Sequence, residues 1–170
     1  MDGWESWQHQ TSDGAIESEQ RVALRAPVVP FSVAGAEHLG RAYWHEVEQL
    51  TRGLVRTRRR DESLVLRLLE IGPALLRFGP PDVEATDQLA RCSYPIEGGL
   101  LVQRRAGEIS FAQVGGSHPA LCSAIHGFFP RLAARERRPD WTGALYNQVQ
   151  SRIHLAVSRR YFTRLIAARG

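Results

Sequence analysis

His126 is the side chain in this sequence best suited to acid–base chemistry, because imidazole changes charge near neutral pH and the surrounding segment 119–129 alternates as a strand does. One face of that strand carries Leu121, Ser123, Ile125 and Phe129, and the other Ala120, Cys122, Ala124, His126 and Phe128. With the second face inward, the small Ala and Cys side chains leave space with His126 at one end, which is how a ligand cavity begins. With the first face inward, the core is filled and His126 lies on the surface. The same alternation over 88–96 groups Ala90, Cys92, Tyr94 and Ile96, so Tyr94 and His126 line one cavity in the first arrangement. His126 then serves as general acid or base, with Tyr94 or Glu97 as its hydrogen-bonding partner. Arg77 and Gln103 complete a polar ligand-binding set with Tyr94 and His126. Strand parity leaves both arrangements open.

Other chemistries lack their spacing. His38 and His45 stand seven apart on a helical stretch beside the outward Arg41 and Glu48, and no HExxH pair occurs. Cys92 and Cys122 are too few for a zinc site and read as reduced core residues. Gly98–Gly99 and Gly115–Gly116 lack the strand–turn–helix setting of a phosphate loop and read as hairpin turns. No metal and no cofactor is therefore expected.

The elements that position these residues follow from periodicity and punctuation. Over 33–57 the apolar positions Leu39, Tyr43, Val47, Leu50 and Leu54 recur every three or four residues, which predicts a helix with Ser32 as its N-cap. The cationic run Arg56, Arg58, Arg59, Arg60 suits that helix's C-terminal end. Gly–Pro at 72–73, Gly–Pro–Pro at 79–81 and the two Gly–Gly pairs cut the middle of the chain into short strands near 63–71, 74–78, 88–96, 99–105, 107–114 and 119–129, with 82–86 as an optional seventh. An edge strand over 21–29, limited by Pro27 and Pro30, precedes the first helix. Trp141, Leu145, Val149, Ile153, Val157, Tyr161 and Leu165 recur every four residues behind Asp140, predicting a long C-terminal amphipathic helix. The expected fold is α+β, with a meandering antiparallel sheet of six or seven strands packed on that helix.

All 22 basic residues are arginine, a uniformity that argues for coding bias over selection at each site. Residues 1–20 hold Asp2, Glu5, Asp13, Glu17 and Glu19 and no arginine, so they read as an acidic mobile tail, with Trp4 and Trp7 available to dock on the body. Residues 21–170 are then one basic α+β domain. No apolar run is long enough for a membrane span and the N-terminus lacks a signal-peptide pattern, which predicts a cytoplasmic protein. Arginine clusters at 56–60, 135–138 and 152–164 offer a face for nucleic acid or another anionic surface, with Trp141 or Tyr161 for stacking. Those two aromatics also fall on the apolar stripe.

The order strand, helix, antiparallel strands, closing helix, with the Val29-Pro30-Phe31-Ser32-Val33 lead into the first helix, resembles the helix-grip or START-like superfamily. That superfamily includes polyketide cyclases and lipid or hormone carriers. The resemblance implies an apolar cavity between the sheet and the C-terminal helix, and activities from passive carriage to cofactor-free cyclisation or dehydration. Such domains often place two helices where this chain has one, with Gly53 near its end; lipocalin-like and cystatin-like folds are the alternatives. Three functions follow as expectations. The first is a carrier of an apolar or aromatic small molecule, the second a cyclase or dehydratase in which His126 or Glu97 moves a proton. The third is a basic interaction protein that binds nucleic acid, an anionic membrane or an acidic partner.

Overall fold

The computed structural model describes residues 3–131 and 140–168, with side chains in the second stretch from His154 onward. The described chain runs β1 (Trp4–Gln10), β2 (Ile16–Ala23), α1 (Val33–Leu50), β3 (Val55–Arg60), β4 (Ser63–Leu68), β5 (Ala74–Phe78), β6 (Asp82–Thr86), β7 (Leu89–Gly98), β8 (Glu108–Val114), β9 (Ala120–Phe128) and α2 (Asp140–Ala167). Nine strands form one antiparallel, open sheet in the order β1-β2-β9-β8-β7-β5-β4-β3. β6 pairs with the first half of β7 and β5 with its last residues, so the two follow each other along one edge of β7.

α1 begins where its cap predicts: Gly35 donates its backbone N–H to the Ser32 hydroxyl. It ends seven residues earlier than the 33–57 stripe suggests, at Leu50, with Thr51 as C-cap and Arg52 and Gly53 both at positive φ. The chain reverses there, and the arginine run becomes β3, an edge strand, instead of a helix end. β4, β5, β6, β8 and β9 lie within the predicted segments, whereas 99–105 is a loop, tied to β5 by Leu100 and Leu101 N–H donating to Ala74 O and Leu75 O and bridged to the segment after β9 at Val102 and Pro130. Gly98 and Gly99, at φ 146 and 126, turn the backbone out of the ladder there.

The N-terminal residues depart most from expectation. Residues 4–23, mostly read as a mobile tail, form the hairpin β1–β2, closed by a turn in which Gly14 has φ 91 and donates to Thr11 O. β2 continues the sheet by pairing with β9. The edge strand expected over 21–29 stops at Ala23. Beyond it Gln113, fully buried on β8, accepts from the N–H groups of Val28 and Val29 and donates to Val29 O. Trp4 docks edge-on against Phe162 at 5.3 Å, while Trp7 is exposed and stacks on His9.

The core lies on the face that α1 covers. Ala90, Cys92, Tyr94 and Ile96 of β7 share it, as their parity predicts, and all four are buried. Rings fill it in a continuous series: Phe78, Trp44, Phe111, Tyr43, Tyr161 and Phe162, each within 6 Å of the next. Gly40 lets α1 approach closely, since a Cβ there would stand 2.5 Å from Tyr94 Oη and 3.0 Å from Cys92 Sγ. α2 runs over 28 residues, and its side chains are described over the last 14, from His154 to Ala167. It rests on α1 and β2 through Val157, Ser158, Tyr161, Phe162 and Leu165. Trp141, Leu145, Val149 and Ile153 fall outside the described side chains, as does the basic cluster at 135–138 outside the described residues. No helix among the described residues is long and apolar enough to cross a membrane.

Candidate functional site between the helices and the sheet

Register decides the parity left open by the sequence. Leu121 and Ser123 of β9 are fully buried on the inner face, in line with Val22 and Gln20 of β2 and with Gln113 and Phe111 of β8. His126 consequently lies on the outer face, exposed, and Tyr94 on the inner one. The two are not brought together. His126 Nδ1 instead meets Glu17 Oε2 at 2.8 Å, and Glu17 Oε1 accepts from Gly127 N–H at 2.7 Å. A register irregularity between Ile16 and Ser18 lies at Glu17, and Gly127 adopts φ 62. Burial works against the Glu17 charge, but the His126 and Gly127 hydrogen bonds prevail and lower its pKa.

The other expected residues are also dispersed. Arg77 is exposed on β5 opposite Gly98, Glu97 is exposed beside Gly79, and Gln103 is exposed in the loop after β7. Tyr94 is enclosed by Trp44, Phe78 and Phe111, and burial raises its phenol pKa. Cys92 and Cys122 are free thiols whose pKa values burial raises, that of Cys122 to about 11, so neither is an activated nucleophile. Among the described residues no three metal-ligating side chains converge.

Polar groups do converge elsewhere, on the inner face beneath α2. Ser18, Gln20 and Ser123 are buried there, and Ser158 of α2 donates to Gln20 Oε1 at 3.2 Å while Gln20 Nε2 donates to Ser18 at 2.9 Å. His154, Ser158 and Tyr161 follow one another at spacings of four and three, so they share a side of α2. His154 Nδ1 lies 2.7 Å from Tyr43 Oη on α1, and Tyr43 packs on both Phe111 and Tyr161. Phe111 in turn is the cross-strand partner of Ser123. The cluster is thus continuous from β2 and β9, through both helices, to β8.

Three of its atoms are buried without a hydrogen-bond partner: Ser123 Oγ, Tyr161 Oη and His154 Nε2. Buried polar groups are nearly always paired; Trp44 Nε1 on α1 is another orphan, and Glu46 Oε2 and Arg160 Nε meet as an ion pair without a hydrogen bond. Burial lowers the His154 pKa to about 4 and pushes the phenols of Tyr43 and Tyr161 well above their ordinary value, so all three rings are neutral at pH 7. In one tautomer Tyr43 donates to Nδ1 and the orphan is Nε2–H; in the other His154 donates and the orphan is a lone pair.

No protein-family model and no curated protein matches this sequence. The chemistry of the cluster has to be read from its own groups. Its hydroxyls and neutral imidazole can donate to or accept from an uncharged polar group, and the packed rings of Tyr43, Phe111, Tyr161 and Phe162 border them with apolar surface.

Sequence reasoning placed Tyr43 and Tyr161 on apolar stripes and passed over His154. The readable signal was His154 and Ser158, four apart beside the apolar stripe and leading to Tyr161 on it. A concavity of about 240 Å³ opens elsewhere, between α1 and the β3–β4 hairpin, and is lined by Arg41, Trp44, His45, Glu48 and Arg59 among others. Its carboxylate is engaged: Glu48 Oε1 accepts from both the backbone N–H and the hydroxyl of Thr57, each at 2.6 Å.

Proposed function

We propose that the protein binds a small molecule with an apolar or aromatic body and one uncharged polar group, in the manner of the helix-grip carriers that its element order resembles. The ligand lies against the inner face of β2, β9 and β8 under α1 and α2. One observation carries this reading: Ser123 Oγ, Tyr161 Oη and His154 Nε2 are all buried and unpartnered on one continuous surface. Leaving such a group unpaired costs about 1–3 kcal/mol, a cost that a ligand's polar group removes on binding. The aromatic residues beside them supply the apolar contact.

The deciding experiment is native mass spectrometry of the purified protein beside its denatured mass. A non-covalent small-molecule adduct, weakened in Tyr161→Phe, supports the reading. An apo mass, together with no saturable fluorescence response to anilinonaphthalene sulfonate, rejects it.

A cofactor-free enzyme is the second reading, supported by the contact of Tyr43 Oη with His154 Nδ1. A neutral imidazole held by a phenol on one nitrogen and unpaired on the other is placed to pass a proton. This proton transfer falls to His154 and Tyr43, where the sequence had offered His126 and Glu97. Turnover that survives His154→Gln undiminished would remove it.

A further inference from the structure

At one end of the sheet two turns lie side by side, the one joining α1 to β3 and the one joining β4 to β5. Val55 pairs with Leu68, and Leu69 N–H donates to Leu54 O at 2.6 Å, which fastens the turns together. The side chains they present are aliphatic and exposed: Ile71 by 93%, Leu54 by 58%, Leu69 by 50% and Leu68 by 42%. Leu100 extends the same surface, its N–H donating to Ala74 O beside the second turn. Single exposed leucines are ordinary, but this is a contiguous apolar tip. Leu69 also has φ 57, a left-handed conformation that is unfavourable for leucine, and half its surface still faces solvent.

Cations surround the tip. Arg52 is exposed within the first turn. Arg56 and Arg67 are cross-strand partners one row behind it. Both lean forward, the Arg56 guanidinium against Gly53 and Arg67 Nη1 donating to Gly72 O at 3.0 Å. The acidic groups nearby are occupied: Glu70 pairs with Arg58, and Glu48 engages Thr57 and Arg56. Asp61 and Glu62 sit in the turn at the opposite end of the hairpin.

We propose that this tip docks on an anionic lipid surface, with Ile71, Leu54 and Leu69 entering the acyl boundary and Arg52 and Arg67 meeting the headgroups. A convex tip of flexible aliphatic side chains ringed by arginines is complementary to a fluid, negatively charged layer. Protein partners are instead recognised through aromatic anchors seated in shaped pockets, and the tip has neither. The attachment is peripheral and independent of the interior site.

The test is flotation of the full chain with phosphatidylcholine vesicles prepared with and without phosphatidylserine. Binding is expected only to the anionic vesicles, weakening as salt is raised. Ile71→Asp is expected to reduce it about tenfold or more and Arg52→Ser about fivefold. Ile71 makes almost no contact in the folded chain, so its variant keeps the parent's melting temperature and any loss reports docking. No binding to anionic vesicles, equal binding to neutral ones, or binding unchanged by Ile71→Asp overturns the proposal. A concentration-dependent dimer abolished by Ile71→Asp, without vesicle binding, assigns the tip to a second copy of the chain and overturns it as well.

Discussion

Tyr43 Oη and His154 Nδ1 stand 2.7 Å apart across the junction of α1 and α2, a part-buried contact between a buried phenol and a half-buried imidazole. Removing either one strands the other. Tyr43→Phe or His154→Phe is expected to lower stability by about 1–3 kcal/mol, seen as a drop in the urea midpoint at unchanged slope. The double variant should cost less than the sum of the two, with a coupling of about 0.5–3 kcal/mol; strict additivity would show that the contact contributes nothing.

The same histidine makes stability depend on acid. Folded His154 has its pKa lowered to about 4 from an ordinary 6.5, so between those values the unfolded chain binds the extra proton. Stability is therefore full above pH 6.5 and is lost as pH falls toward 4, by an amount on the order of 3 kcal/mol. Glu17, whose pKa is also lowered, adds a loss of the same sign at still lower pH. Urea melts from pH 7 to 4 should show the first slope in the parent and a flatter profile in His154→Gln. An unchanged profile would mean that His154 does not carry it.

Ser123 and Tyr161 predict opposite effects on folding and binding. Ser123→Ala or Tyr161→Phe removes a buried hydroxyl that has no partner in the apo protein, so each variant is expected to be more stable by about 1 kcal/mol. Affinity for the co-purifying ligand should fall by about the factor of five to ten that one hydrogen bond supplies. Thermal melts and adduct titration measure the two separately.

Glu46 is buried on α1 and meets Arg160 Nε at 2.7 Å and Arg164 Nη1 at 2.8 Å, both arginines remaining about half exposed. The asymmetry fixes the order of effects. Glu46→Gln leaves two cations that can turn to water, costing about 1–3 kcal/mol. Arg160→Ala combined with Arg164→Ala leaves a buried carboxylate alone, costing about 3–5 kcal/mol. Limited proteolysis should show α2 released first in the double variant.

Gly40→Ala sets helix propensity, which favours alanine by about 1 kcal/mol, against a Cβ placed 2.5 Å from Tyr94 Oη. The clash is expected to win, by about 1–3 kcal/mol. Adding Tyr94→Phe removes the struck hydroxyl and should restore part of the loss.

The sequence made some of this legible and hid the rest for physical reasons. β5 and β6 were readable to the residue because Gly–Pro and Gly–Pro–Pro punctuate them, and α1 because Leu39, Tyr43 and Val47 face one core. β1 and β2 were not, because their inward positions include Ser18 and Gln20, so the binary pattern that marks a strand is missing. Four arginines in six residues likewise looked like a helix terminus, although they form β3. The candidate site needed register: Tyr94 and His126 share an apparent parity, and only the pairing of β7, β8 and β9 puts them on opposite faces. His154 lies next to an apolar stripe, where one helical step separates core from cluster.

Among the described strands β1, β3 and β6 each pair on one side only, so β3 is an open edge of the sheet. A bare rim invites another chain to add itself in register, the first step toward fibrillar growth. Here Arg56, Arg58, Arg59 and Arg60 stand on that rim, and an antiparallel copy would have to bring its own four guanidinium groups against them. The row that resembled a helix end in the sequence thus keeps the sheet finite by electrostatic exclusion.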